Sequence, residues 1–147
     1  MKKIIYFSMV FVAFISLYSC NNTDGKEANK QVIDTEVDVS ENTILVYYFH
    51  GSIRCHTCIS VDEDTHKYLK ELFPEKMDKS EIVFKSIDID KKESPELIEK
   101  YEIYGQTLLL IKGDKKVDLT QDAFQYVTTS PEKWKQIFED NMKELIN

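Results

Sequence analysis

Histidine, cysteine and proline are scarce in this 147-residue chain, three of each, and so are glycine (four) and tryptophan (one). These shortages narrow the chemistry. No glycine-rich loop is present to cradle a phosphate, and no serine stands in a nucleophile setting. No cofactor is expected. There is no internal repeat and no low-complexity run. Positive charge is also short: 19 Lys and Arg face 26 Asp and Glu, for a formal charge of −7. That balance disfavours nucleic acid and anionic lipid surfaces as partners.

What is present begins with a targeting pattern. Lys2 and Lys3 form a positive start, and Ile4 to Leu17 is an apolar stretch too short for an ordinary spanning helix. Leu17-Tyr18-Ser19-Cys20 resembles the bacterial lipobox, with Tyr18 where a small residue is usual. The resemblance implies that residues 1–20 end in a lipidated Cys20, which anchors the mature chain to a bacterial membrane facing the periplasm. The plainer alternative is a signal peptide or uncleaved anchor with an incidental cysteine. Residues 21–41 are polar and read as a flexible tether. Within it Ile33, Thr35, Val37 and Val39 alternate with mostly acidic residues, the pattern of a short edge strand. With Cys20 lipidated, only Cys55 and Cys58 remain as thiols, in an oxidising compartment. A bridge between them closes too small a ring to constrain the unfolded chain much, which argues against a purely stabilising role.

Residues 42–147 carry the pattern of one small domain. Thr43 to His50 is a nearly continuous apolar run, as expected of a central strand covered on both faces. A helical pattern runs from His56 to about Phe73, where Pro74 ends it. Residues 74–79 read as a loop, and Glu81 to Asp88 as a second strand. Ser94-Pro95-Glu96 and Ser130-Pro131-Glu132 each read as a serine cap with proline at the first helical position. Between them Gln106 to Ile111 is a third strand, residues 112–115 a turn, and Lys116 to Leu119 a fourth strand. Trp134, Ile137, Phe138, Met142 and Leu145 make the apolar stripe of a last helix. The predicted order is βαβαββα.

Cys55-His56-Thr57-Cys58 sits where the first strand hands over to the first helix. Unpaired N–H groups and the partial positive charge of a helix start stabilise a thiolate there and lower its pKa. Arg54 and a protonated His56 would act in the same direction. Cys55 is expected to be the exposed nucleophile, with Cys58 one turn further in to resolve the mixed disulfide. A lone C-x-x-C is also compatible with half of a zinc site or a static bridge. Its place in a strand–helix–strand pattern favours redox chemistry.

The chain resembles the thioredoxin-like family over residues 42–147. The resemblance rests on Cys55-His56-Thr57-Cys58, on Val83 to Asp90 as a strand with an acidic end, and on Tyr101-Glu102-Ile103-Tyr104-Gly105-Gln106-Thr107-Leu108-Leu109-Leu110 entering the third strand. It implies an α/β thioredoxin-like fold, a central mixed sheet flanked by helices, and the nucleophile and resolving roles of Cys55 and Cys58. It also implies that Gly105, Gln106 and Thr107 form the loop facing the substrate. Gln106 stands where the family has a cis-proline, so a trans bond is expected there, since the cis form costs about 3 kcal/mol without proline. No carboxylate lies on the strand before the motif, where many thioredoxins keep a buried proton acceptor; His50 is the nearest titratable group. The Tyr47-Tyr48-Phe49-His50-Gly51 and Arg54-Cys55-His56-Thr57-Cys58 arrangement is further similar to lipid-anchored nitrophenyl-compound nitroreductase subunits from arsenic-resistance gene clusters. That similarity implies partner subunits or a membrane electron donor.

No metal is the primary expectation. The alternative is a reduced dithiol, Cys55 and Cys58, that binds a soft metal or trivalent arsenic with His50 as third ligand. His66 is set apart from this group, since eight helical residues beyond Cys58 span roughly 12 Å. Asp62, Glu63 and Asp64 read as a solvated helix face, and Trp134, Phe138 and Tyr47-Tyr48-Phe49 as core.

Overall fold

The computed structural model describes residues 41–147, all within one compact unit. Cys20, most of the tether and the alternating 33–39 segment lie outside the described residues. Strand β1 (Ile44–His50) is buried at every position, as its unbroken apolar run requires. It lies inside a four-stranded sheet of order β2-β1-β3-β4, where β2 is Ile82–Asp88, β3 is Thr107–Lys112 and β4 is Lys115–Asp118. β1 runs parallel to β2, with Ile44 opposite Ile82 and His50 opposite Asp88. It runs antiparallel to β3, with Phe49 opposite Thr107. The β3–β4 hairpin turns through Gly113, whose φ of 55° suits a residue without Cβ.

Side-chain alternation along β1 builds two cores. Ile44, Val46 and Tyr48 point to one face, where they join Val61 and Leu69 of α1 (His56–Leu72), Ala123 of α4 (Thr120–Tyr126), and Trp134, Phe138 and Met142 of α5 (Pro131–Ile146). Leu45, Tyr47 and Phe49 point to the other, with Ile87, Ile103, Leu109 and Ile111 and the flanking Leu97 and Ile98 of α3 (Pro95–Lys100). Trp134 and Phe138 are fully buried, as the stripe predicts. The result is the expected α/β arrangement of a mixed sheet flanked by helices.

Four local expectations are corrected. Residues 74–79 are not simply a loop: Pro74–Asp78 forms the short helix α2. Pro74 ends α1 yet has the φ of a first helical residue, so it starts a new helix in the same step. Helix α4 is a second addition; Leu119, Ala123 and Val127, four residues apart, bury its inner face. The fourth strand begins one residue earlier than expected, at Lys115. Finally, Ser94 and Ser130 stand at the N-cap before a first-turn proline as expected, but neither makes the capping bond with its side chain. Each presents its carbonyl instead, Ser94 to Leu97 and Ile98, Ser130 to Lys133 and Trp134. Ser94 is left-handed, at φ 53°, and its helix start faces water, which solvates the free N–H groups.

Candidate redox site

The site forms where β1 ends and residues 51–54 lead into α1. Cys55 is the N-cap of α1, with extended backbone at φ −75° and ψ 166°. Its Sγ accepts a hydrogen bond from the Cys58 backbone N–H at 3.1 Å, the bond that a serine or aspartate oxygen makes at an ordinary N-cap. Its carbonyl accepts from Ile59 N–H at 3.0 Å, so the first turn closes around it. No acidic residue lies in that turn to oppose a negative sulfur. The two cysteines are joined as a disulfide, their Cα atoms 5.1 Å apart. Cys55 is exposed, whereas Cys58 is 4% exposed and packs inward with Val61 on the same face. Access is therefore unequal: an incoming group reaches Cys55 and not Cys58.

The loop before the cysteines is held from β2. Ser52 Oγ donates to Asp88 Oδ2 at 2.7 Å and Ser52 N–H donates to Asp90 Oδ2 at 2.8 Å. Asp90 N–H donates to Asp88 Oδ1, and Lys91 Nζ lies 3.1 Å from Asp88 Oδ2. Burial raises the Asp88 pKa, but the bonds from Ser52, Lys91 and the backbone outweigh it and bring it down to about 2. Gly51 leaves room for this clamp, since a Cβ there would meet Asp90 Oδ2 at 3.1 Å.

A second set of contacts fixes the first turn of α1. Arg54 donates to Asp62 Oδ2 at 2.7 Å and to the Cys58 carbonyl at 3.1 Å. Tyr48 Oη donates to the same carbonyl at 3.1 Å, and the guanidinium lies 5.7 Å from the Tyr48 ring centre. Burial, aided by Asp62 and opposed by Arg54, pushes the Tyr48 phenol up to about 12. Ser86 Oγ of β2 donates to Asp62 Oδ2 at 2.8 Å. The Arg54 charge expected to favour a thiolate is thus directed at a carboxylate. Asp62 departs from its expected solvated face: its side chain is 17% exposed and is bonded to two other elements of the chain.

The remaining predicted residues are placed as follows. His56 is exposed at the first position of α1. His50 is buried, and its Nδ1–H donates to the Gly51 carbonyl at 2.9 Å, capping the strand end. His66 stacks on Phe84 with centroids 5.0 Å apart, and burial, then Lys70, lowers its pKa. Among the described residues no three His, Cys, Asp or Glu side chains gather where one ion would be held, so the Cys55, Cys58 and His50 trio is not assembled. Thr107 opposes Phe49 at the end of β1 that leads to the cysteines, which brings Gly105, Gln106 and Thr107 to the same end of the sheet. Thr107 Oγ1 donates to the Gly105 carbonyl, Gln106 is exposed, and every described peptide bond is trans. Ile53 and Tyr104, in the two loops at this end, are 93% and 92% exposed.

Sequence reasoning missed the Ser52–Asp88–Asp90 clamp and the Tyr48–Arg54–Asp62 network. One signal was available for the first: a carboxylate at the end of a strand, beside the apolar Ile87, needs partners when it is buried, as Asp88 is.

No protein-family model matches the chain, and no curated protein matches it. Solved structures similar to it include thioredoxin-2 of the malaria parasite, described as a component of a protein secretion machinery: 26% identity, 52% of this chain, 66% of that one, TM-score 0.38. Chloroplastic thioredoxin z shares 21% identity over 52% of this chain and 64% of its own, with TM-score 0.38. The germline-specific thioredoxin Deadhead of Drosophila melanogaster shares 22% over 52% and 65%, with TM-score 0.34. The chain spans slightly less than two thirds of each of these three proteins. None of them is a lipid-anchored arsenic-resistance protein.

Proposed function

We propose that the chain is a thiol–disulfide oxidoreductase tethered by lipid on Cys20 to the periplasmic side of a bacterial membrane. The observation that carries the redox reading is the inequality of the pair. Cys55 is an exposed N-cap whose sulfur accepts a backbone N–H, and its disulfide partner Cys58 is buried one turn behind it.

In the reduced protein the Cys55 thiolate attacks one sulfur of a substrate disulfide. The other substrate sulfur leaves as a thiolate and takes a proton from water. The Cys58 thiol then loses its proton and attacks Cys55 Sγ, which breaks the mixed disulfide and frees the second substrate thiol. Two electrons pass to the substrate, and the Cys55–Cys58 disulfide remains. A dithiol donor at the membrane reduces it again by the reverse exchange. Helix α1 supplies the N–H that stabilises the attacking sulfur, and the clamps on Ser52 and on the Cys58 carbonyl hold both cysteines in register. Organoarsenical or nitroaromatic compounds, reached through partner subunits, are the final acceptors in this proposal; what supports them is the sequence resemblance of residues 47–51 and 54–58 to nitroreductase subunits.

The test is the reduction potential of the full chain carrying Cys20→Ser, equilibrated in glutathione buffers and scored by alkylation. The expected value lies between about −270 mV, as for thioredoxin, and about −120 mV, as for oxidising periplasmic enzymes. A pair below about −300 mV is a structural bridge and overturns the proposal. Cys55→Ser should abolish disulfide reduction, and Cys58→Ser should accumulate a mixed disulfide at Cys55. Stoichiometric capture of arsenite without turnover would replace an oxidoreductase by a binding module.

A further inference from the structure

The Arg54–Asp62 pair is joined to the first turn of α1 through the Cys58 carbonyl, and the exchange steps above give its charges no part. Arg54 immediately precedes Cys55, and its guanidinium crosses the first turn of α1 to reach Asp62 and the Cys58 carbonyl. Both side chains are largely buried, at 23% and 17% exposure, so the pair is screened less than a surface one. Asp62 is anchored from behind by Ser86 Oγ. Among the described residues Arg54 Nε is buried with no hydrogen-bond partner, and the carboxylate paired with this guanidinium is Asp62.

We propose that Asp62 is a positioning residue that keeps the Cys55–Cys58 pair reducing, by binding the Arg54 guanidinium and offsetting its charge next to the Cys55 thiolate. The proposal rests on the redox reading above. Reduction of the disulfide by two glutathione molecules gives the dithiol and glutathione disulfide, and at Cys55 the dithiol is partly thiolate. Anything that stabilises that thiolate stabilises the reduced form and makes the pair more oxidising. The helix start already contributes in this way. An uncompensated Arg54 would add a full positive charge at the Cys58 carbonyl, in the first turn that Cys55 caps, and Asp62 prevents it.

The other charged groups near the motif do not change with Asp62. His56 is exposed on the first turn. On the β2 side Lys91 is paired with Asp88, and Asp90 is bonded to Ser52. Tyr48, from β1, meets the turn as a phenol whose pKa is about 12, hence neutral.

The test measures reduction potential and the pH midpoint of Cys55 alkylation in the full chain carrying Cys20→Ser. Four forms are compared: the parent, Asp62→Asn, Arg54→Gln, and the double variant. Asp62→Asn should shift the equilibrium constant with glutathione at least threefold towards the dithiol, about 14 mV at 30 mV per tenfold. It should also move the alkylation midpoint to lower pH. Arg54→Gln alone should move both in the opposite direction, towards the disulfide and to higher pH, because it leaves the Asp62 carboxylate uncompensated. The double variant should return to near the parent value, because both charges are then gone and the loss of Arg54 cancels the Asp62→Asn shift. A purely structural ion pair would lower stability in both redox states and leave potential and midpoint in place. That outcome overturns the proposal, as does a double variant that stays as oxidising as Asp62→Asn. Asp62→Ser leaves the same charge uncompensated and serves if the asparagine variant does not fold. A parent that fails to equilibrate with glutathione overturns the redox reading and this proposal together. A parent that equilibrates beside an unmoved Asp62→Asn overturns this proposal alone.

Discussion

Tyr48→Phe separates what holds the site from what tunes it. Tyr48 has no exposure, its ring is part of the core under α1, and its hydroxyl donates to the Cys58 carbonyl at 3.1 Å. Phenylalanine keeps the ring and removes one hydrogen bond, worth about 0.5–1.5 kcal/mol net. The carbonyl left behind still accepts from Arg54, so it is not orphaned, and the loss should fall near the middle of that range. A stability change of about 1 kcal/mol moves the melting temperature of a domain of this size by roughly 4–8 °C. The bond ends on a backbone atom and not on a sulfur, so it is present in both redox states. Oxidised and reduced forms should therefore lose stability equally, and the potential should hold. The assay is chemical unfolding of each redox state, with the potential measured in parallel. A loss confined to one state would refute the reasoning. So would a potential shift of about 21 mV, the equivalent of 1 kcal/mol at 30 mV per 1.4 kcal/mol.

Acid should probe the other clamp. The Asp88 pKa is depressed to about 2 from 3.8, so its contribution is fully present above about pH 4 and is lost as the pH falls through about 2. Ser52→Ala removes one of the bonds that depress it, and acid unfolding should then begin at higher pH; an unchanged acid transition would show that Ser52 does not hold the carboxylate. In the core, Trp134→Ala should cost about 3–5 kcal/mol while leaving the potential unchanged, read by urea unfolding and glutathione titration. A potential that moved with it would mean that the site is not insulated from the packing of α5.

Much of this molecule could be read from local pattern. The unbroken apolar run of β1 foretold a strand covered on both faces, because only such a strand escapes the alternation of a half-exposed one. Pro74 marked the end of α1, and the Trp134–Leu145 stripe marked the buried face of α5. The strand-to-helix position of Cys55 and Cys58 foretold their unequal access, since side chains three apart on a helix share a face while the first of them lies at its open end. Helix α4 was also written in the sequence, as Leu119, Ala123 and Val127, but seven residues give too few turns for a period to stand out.

The sequence by itself determined which residues turn inward and where a sulfur meets a helix start, because spacing, proline and apolar period act over a few residues. Only the tertiary structure decided what surrounds that sulfur. Ser52 meets Asp88 and Asp90 from 36 and 38 residues away, and Ser86 reaches Asp62 across 24. No local pattern records such distances: they follow from the parallel register that sets His50 opposite Asp88 and brings the end of β2 against the loop. Arg54 and Asp62 are only eight residues apart, yet whether that arginine serves a thiolate or a carboxylate depends on the direction of one side chain, which packing sets.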